Sequence, residues 1–213
     1  MTTTREAVLA AVADLVLGLP GRPVRVGVDG LDGAGKTWFA DELAAVLRDL
    51  GREVVRVSVD DFHRPRAQRY ARGSSSPEGF YLDSYEYDRF RADVLDPFGP
   101  GGDRVYRSAA HDVATDAVLD VEPRIAGLDA ILLVDGIFLH REELRDHWDL
   151  SVYLDVPRSV TAARMALRDG GAPDVDARYV EGQRIYHRAC DPAGRASVVV
   201  DNSDLARPVI VRP

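Results

Sequence analysis

The sequence predicts an α/β fold in three layers, with a central, mainly parallel sheet flanked by helices. Strand-like and helix-like hydrophobic patterns alternate along the 213 residues, and this order is typical of a parallel sheet covered on both faces. The run AILLVDG at 130–136 is almost continuously apolar, as expected for a strand in the middle of such a sheet. We therefore predict one domain that spans residues 1–213.

The individual elements follow from the spacing of the apolar residues. Alternation with a period of two predicts strands, and apolar residues three or four apart predict helices. The predicted strands are 24–29, 53–59, 131–135, 150–155 and 197–201. The predicted helices are 3–18, 36–50, 85–95, 141–147, 158–169 and 175–189. Two stretches, 64–88 and 96–116, break this alternation. Their interleaved aromatic residues favour a functional flap at about 64–118 over the alternative of a disordered insertion.

The composition excludes several classes of function. A formal net charge of −8 argues against a nucleic-acid partner, whose binding surface would be basic. The single cysteine, Cys190, excludes an intramolecular disulfide and a cysteine-ligated metal site. No apolar run is long enough to span a membrane, and no signal peptide is predicted. We expect a cytoplasmic protein that acts on a small molecule, and leave open whether it forms a homo-oligomer.

A glycine-rich string joins the first predicted strand to the helix at 36–50. Residues 30–37, GLDGAGKT, satisfy the pattern G-x-x-x-x-G-K-[ST]. The backbone N–H groups of such a loop bind phosphate at a helix N-terminus, where the helix dipole favours negative charge. We therefore predict a P-loop NTPase fold, with an ordinary glycine-rich turn as the alternative. The predicted nucleotide-binding residues are Gly30, Leu31, Asp32, Gly33, Ala34, Gly35, Lys36 and Thr37.

The last two residues of this string have further predicted roles. Lys36 should reach the β- and γ-phosphates of ATP, and the Thr37 hydroxyl should hold Mg²⁺. An acidic pair, Asp60 and Asp61, follows the second predicted strand, at the edge where ligands bind in open α/β sheets. A carboxylate there can accept the proton of an attacking hydroxyl group, as a kinase requires. The alternative is that both carboxylates only cap the strand.

Five segments together resemble a known family. GLDGAGKT, SVDDFH, LLVDG, RMALRD and RYVEGQRIYHRACDP occur in the order found in the uridine kinase and phosphoribulokinase superfamily, over about residues 22–203. The resemblance implies that Asp60 is the catalytic base and a candidate Mg²⁺ ligand. Asp135 stands where the family commonly has Glu, and it is implied to order Mg²⁺. Asn202 is implied, more weakly, to lie near the adenine.

The family's lid corresponds to about 164–178. Arg164 and Arg168 lie four residues apart and share a helix face, and the resemblance implies that they meet the phosphates when the lid closes. Gly170, Gly171 and Pro173 favour a hinge just after them. The alternative is a pair of solvated arginines.

The acceptor site is implied by the flap. Tyr106 and His111 match the Tyr-x4-His spacing of uridine kinases, and Tyr81, Asp83 and His63 are further candidates for contacts with a nucleoside. Aromatic rings suit a stacked base and a carboxylate suits sugar hydroxyls. The alternative is that the tyrosines pack the flap's own core.

We therefore predict an ATP- and Mg²⁺-dependent kinase that phosphorylates a primary hydroxyl, with a pyrimidine nucleoside as its acceptor. Two alternatives stay open at this point. DDFHR is close to the phosphoribulokinase pattern, so the acceptor could instead be a pantothenate-like or sugar-phosphate alcohol. The chain could also be a nucleotide-binding regulatory module without transfer activity.

Overall fold

A six-stranded sheet forms the centre of the molecule. The computed structural model describes residues 4–21, 23–169 and 177–212. Within them, the strands of this sheet are β1 (Val24–Gly30), β2 (Val54–Ser58), β7 (Ile131–Asp135), β8 (Leu150–Asp155), β9 (Val198–Asp201) and β10 (Val209–Arg212). Their spatial order is β10-β9-β8-β1-β7-β2, and all pairs are parallel except β9 with β10. The predicted α/β class is confirmed.

Helices flank this sheet. The described α-helices are α1 (Arg5–Leu17), α2 (Lys36–Asp49), α3 (Arg66–Arg69), α4 (Pro77–Asp83), α5 (Tyr87–Phe90), α6 (Arg158–Asp169), α7 (Ala177–Cys190) and α8 (Pro192–Arg195). The side chain of Thr4 caps α1 by accepting the N–H of Ala7, which is why this helix begins where the sequence changes from polar to periodic. Residue 3, the predicted first residue of α1, lies outside the described residues.

The two faces of the sheet bury different partners, because successive strand residues point to opposite sides. In β7, Ile131 and Leu133 pack with α1 and α2, whereas Leu132 and Val134 pack with the flap and α7. All residues of β1 and β7 are buried. The sheet therefore lies between two hydrophobic clusters, as a three-layer fold requires.

The flap at 64–118 folds mainly into short elements. It contains α3, α4 and α5, a π-helical turn (Arg91–Leu95), and β3 (Val105–Tyr106), β4 (His111–Asp112) and β5 (Ala117–Val118). β3 pairs with β6 (Arg124–Ile125), and β4 pairs with β5. The predicted helix at 85–95 therefore corresponds to α5 and the turn that continues it.

One predicted element was wrong, and one strand was missed. The predicted helix at 141–147 is only a 3-10 turn, Arg145–His147, because the N–H groups of Leu144 and His147 donate to carbonyl oxygens three residues earlier, not four. β10 was not predicted and adds an antiparallel edge to the sheet. Among the described helices, none has the length and apolarity needed to cross a membrane.

Candidate active site

The glycine-rich string forms a tight loop between β1 and α2. Gly33 and Gly35 have φ angles of 79° and 91°, in the left-handed region that favours glycine. A Cβ atom at Gly33 would also lie 2.7 Å from the carbonyl oxygen of Thr161. The loop therefore needs glycine at both positions, and it ends at the N-terminus of a 14-residue helix, where an anion is favoured.

Lys36 is the first residue of α2 and the only lysine in the sequence. Its Nζ donates to the carbonyl oxygen of Leu31 at 3.0 Å and lies 3.7 Å from Oδ1 of Asp32. Both partners belong to the loop itself, so the ammonium group is directed across the loop. A phosphate bound there would lie within reach of this charge.

Thr37 and Asp135 meet at the carboxyl ends of β1 and β7. The Thr37 hydroxyl donates to Oδ2 of Asp135 at 2.6 Å, and Arg56 lies 2.9 Å from Oδ1 of the same carboxylate. Asp135 is only 1% exposed, so its charge is compensated by these two partners. A hydroxyl and a carboxylate are oxygen donors of the kind that Mg²⁺ prefers.

Asp60 and Asp61 lie on a 3-10 turn, Val59–Phe62, immediately after β2. The turn brings both carboxylates to the carboxyl end of β2, near that of Asp135. Asp60 accepts the Tyr85 hydroxyl at 2.7 Å. The pKa of Asp61 is raised by partial desolvation and by the nearby carboxylates of Asp60 and Asp135.

Arg164 joins α6 to the loop and to the end of β9. Its guanidinium donates to the carbonyl oxygens of Asn202 and Ser203, both at 2.9 Å. Asn202 is fully buried and its Nδ2 donates to the carbonyl oxygen of Ala34 at 2.8 Å. Arg168 is exposed on the same helix. The predicted hinge residues Gly170, Gly171 and Pro173 lie outside the described residues, and so does the middle of the predicted lid at 164–178.

A pocket of about 270 Å³ lies within the flap. It brings together two of the predicted acceptor residues, His63 and His111. Burial lowers the pKa of His63. His111 is 3% exposed; its Nε2 lies 3.1 Å from Asp116, and its Nδ1 has no hydrogen-bond partner among the described residues. The lining residues are His63, Pro65, Gln68, Glu86, Arg89, Ala110, His111 and Val118.

Three other predicted acceptor residues do not line this pocket. Tyr81 contacts Cys190 through its hydroxyl at 3.3 Å. Asp83 pairs with Arg72 at 2.8 Å. Tyr106 is buried and packs edge-on against Phe98, with 5.6 Å between the ring centres. Contact of these three with an acceptor stays a prediction, as does the contact of Asn202 with adenine.

A buried polar cluster behind the loop was not predicted. Asp29, fully buried in β1, accepts hydrogen bonds from the N–H of Gly30 at 2.7 Å and from the hydroxyl of Tyr186 on α7. Nδ1 of His140 lies 2.8 Å from the same carboxylate. One turn before Tyr186, the amide of Gln183 bonds to the loop residue Asp32. An acid within an otherwise apolar strand was the available signal in the sequence.

Comparisons with known proteins agree with this geometry. No protein-family model matches the chain. A uridine kinase from Leuconostoc citreum is 24% identical over 199 residues, which cover 84% of this chain and 87% of that protein. A uridine kinase from Geobacillus sp. (strain WCH70) is 30% identical over 157 residues, which cover 70% of this chain and 68% of that protein. The solved structure of a possible uridine kinase from Bacillus stearothermophilus has a TM-score of 0.72, 24% identity, and coverage of 90% and 96% of the two chains.

Proposed function

The chain belongs to the uridine kinase-like family of P-loop kinases, and from this premise we propose that it transfers the γ-phosphate of ATP to the 5′-hydroxyl of a pyrimidine nucleoside. Kinase relatives imply phosphotransferase activity with ATP as the donor. One observation carries the proposal. The phosphate loop, the Thr37–Asp135 pair and the acidic turn at Asp60 meet at the carboxyl end of one sheet.

The proposed reaction is a single in-line displacement. The acceptor oxygen forms a bond to the γ-phosphorus while the bond from this phosphorus to the β–γ bridging oxygen breaks, and ADP leaves. Asp60 accepts the proton of the acceptor hydroxyl and orients its oxygen. Lys36 and the N–H groups of the loop hold the β- and γ-phosphates. Arg168 stabilises the developing charge, and Arg164 holds the loop in place through its contact with the carbonyl oxygen of Gly33.

The oxygen donors of this site fit Mg²⁺. Thr37 and Asp135 would hold the ion, with Asp60 as a further ligand, and the bound ion would neutralise charge on the phosphate oxygens. Arg56 fixes one oxygen of Asp135, so the carboxylate is oriented by this ion pair.

The flap pocket supports a nucleoside rather than a phosphorylated acceptor. A sugar phosphate would favour a cation that is not already paired, but Arg89, the arginine that lines the pocket, faces the Asp93 carboxylate at 3.2 Å. Two arginines of the same flap are also paired, Arg64 with Glu86 at 3.1 Å and Arg69 with Asp116 at 3.7 Å. The hydrogen-bonding ring nitrogens of His63 and His111 suit a base instead.

A screen of phosphoryl transfer tests this function. Nucleosides, pantothenate and sugar phosphates would each be incubated with ATP and Mg²⁺, and the phosphorylated product identified by mass spectrometry. We expect transfer to uridine or cytidine. Transfer to a sugar phosphate or pantothenate alone would contradict the nucleoside assignment, and slow ATP hydrolysis with every acceptor would indicate a regulatory module.

Two matched variants test the mechanism. Asp60→Asn should retain ATP binding but lower kcat by about 100-fold or more, the usual size of a general-base contribution. Asp61→Asn should lower kcat much less, because Asp60 is the proposed base. An inactive Asp61→Asn enzyme beside an active Asp60→Asn enzyme would move the base by one residue. If both variants remain active, the proposed mechanism is wrong.

A further inference from the structure

Tyr85 is tied to the acidic turn through the backbone. His63 and Tyr85 form an antiparallel bridge. The N–H of Arg64 donates to the carbonyl oxygen of Ser84, and the N–H of Glu86 donates to that of Phe62, both at 2.9 Å. Two backbone hydrogen bonds, one on each side of Tyr85, therefore fix its Cα position relative to the turn that carries Asp60.

The ring of Tyr85 is fixed as well. It is 2% exposed and packs on His63 with 4.4 Å between ring centres, and against Tyr87 and Phe138 at 5.8 and 6.4 Å. A ring surrounded in this way has few rotamers available. Its hydroxyl consequently stays at one place, 2.7 Å from Oδ1 of Asp60.

This contact has a consequence for the exposed carboxylate of Asp60. A carboxylate can rotate about its last side-chain bond, since that torsion is broad. A hydrogen bond from an immobile hydroxyl to Oδ1 restricts this rotation. It leaves Oδ2 as the oxygen available to the acceptor hydroxyl. His63 restrains the backbone of the same residue, because its Nδ1 lies 2.6 Å from the backbone oxygen of Asp60.

We infer that Tyr85 is a positioning residue for phosphoryl transfer, which acts by holding the Asp60 carboxylate so that Oδ2 faces the acceptor hydroxyl. This inference rests on the proposed function, in which Asp60 is the base. A misplacement of about 1 Å in a catalytic group can reduce the rate about 100-fold, so loss of one restraint should reduce it measurably.

The test compares Tyr85→Phe with Tyr87→Phe. Both tyrosines are buried and adjacent, but the hydroxyl of Tyr87 has no hydrogen-bond partner among the described residues. Tyr85→Phe should lower kcat about 10-fold with the KM for ATP unchanged, and Tyr87→Phe should leave kcat within about twofold. Equal effects of the two variants on kcat and on Tm would overturn the inference, because they would indicate packing alone.

A double variant separates this inference from the proposed function. If Tyr85 acts through Asp60, Tyr85→Phe should lower the residual kcat of Asp60→Asn by less than about twofold. A further 10-fold loss in that background would overturn the inference and leave Asp60 as the base. Full activity of Asp60→Asn itself would overturn the proposed function, and the inference with it.

Discussion

Arg164 and Arg168 lie on the same face of α6 but have different surroundings. Arg164 donates to the backbone oxygens of Asn202 and Ser203 and contacts that of Gly33 at 3.4 Å. It therefore braces the phosphate loop even without nucleotide. Arg168 is exposed, one turn further along the helix, and its proposed role is to act when charge develops on the transferring phosphoryl group.

The two arginines should consequently affect different kinetic constants. Arg164→Ala should raise the KM for ATP several-fold, because a looser loop binds phosphate less well. Arg168→Ala should lower kcat about 10-fold or more and change the KM for ATP little, as expected for a contact made mainly in the transition state. Steady-state kinetics with varied ATP would measure both constants. If Arg168→Ala instead raised the KM for ATP and left kcat unchanged, Arg168 would contribute to binding ATP in the ground state.

For single residues, the sequence predicted the groupings that depend on residues close together in the chain. The loop residues 30–37 are contiguous, so their pattern alone indicated their joint role. The contact of Tyr85 with Asp60 joins residues 25 positions apart, and that of Tyr186 with Asp29 joins residues 157 positions apart. No local pattern indicates such pairs, because only the fold brings them together.

Helix α7 is the element that joins the flap to the loop. Gly182 lies against α4, where a Cβ atom would come within 2.6 Å of the Phe80 ring and 3.0 Å of the carbonyl oxygen of Pro77. On the neighbouring turns, Gln183 and Tyr186 bond to the loop and to β1. The distance between α4 and α7 therefore helps to determine the position of the flap relative to the loop.

Gly182→Ala should force these helices apart and lower the free energy of unfolding by about 1–3 kcal/mol, the usual cost of overpacking. Gly79→Ala in α4 is the matched control, because its added Cβ would meet neighbours at an ordinary 3.4 Å. Urea denaturation of both variants would measure the difference. Equal free energies of unfolding for the two variants would show that α4 and α7 accommodate the added Cβ atom without strain.

The elements that the sequence missed are those set by tertiary contacts. β10 has an exposed or half-exposed pattern and becomes a strand by pairing with β9. The segment at 141–147 has helical spacing, but the N–H of His140, just before it, donates to the Tyr186 hydroxyl, and the N–H groups of Leu144 and His147 bond three residues back. Intrinsic propensity is a weak guide where such contacts decide the backbone.

At the scale of the whole molecule, buried histidines link stability to pH, because burial lowers the pKa of His187 as it does those of His63 and His147. Burial and the charge of Arg158 lower the pKa of His187, which contacts the hydroxyl of Tyr153 at 2.9 Å. The unfolded chain, with an ordinary pKa of 6.5, therefore binds this proton more readily than the folded chain. Stability should accordingly fall as the pH decreases through this value.

His187→Gln should reduce the loss of stability between about pH 7.5 and pH 5.5. Arg188→Gln is a suitable control, because it changes an exposed neighbour that does not titrate in this range. Urea unfolding at several pH values would measure both slopes. An unchanged slope in His187→Gln would assign the pH dependence to other groups.

The overall sheet was the most predictable feature of the molecule. Long apolar strands alternating with amphipathic helices allow few arrangements, so the order of patterns predicted the central layer. The arrangement of the flap was not predictable in the same way, because its elements are short and depend on packing against β2 and α7. This explains why His63 and His111 share a pocket while Tyr106 lies in a hydrophobic core.

The single lysine of the sequence, in the phosphate loop, is a site for selective chemical labelling. Of the 27 lysine and arginine side chains, all except Lys36 are guanidinium groups. An acylating reagent therefore has only the Lys36 amine and the chain's α-amino group as amine targets. Bound ATP should shield Lys36 and leave the α-amino group reactive. Peptide mass spectrometry after labelling with and without ATP would report occupancy of the loop directly, without any knowledge of the acceptor. Equal labelling of Lys36 in both samples would show that nucleotide does not cover this amine.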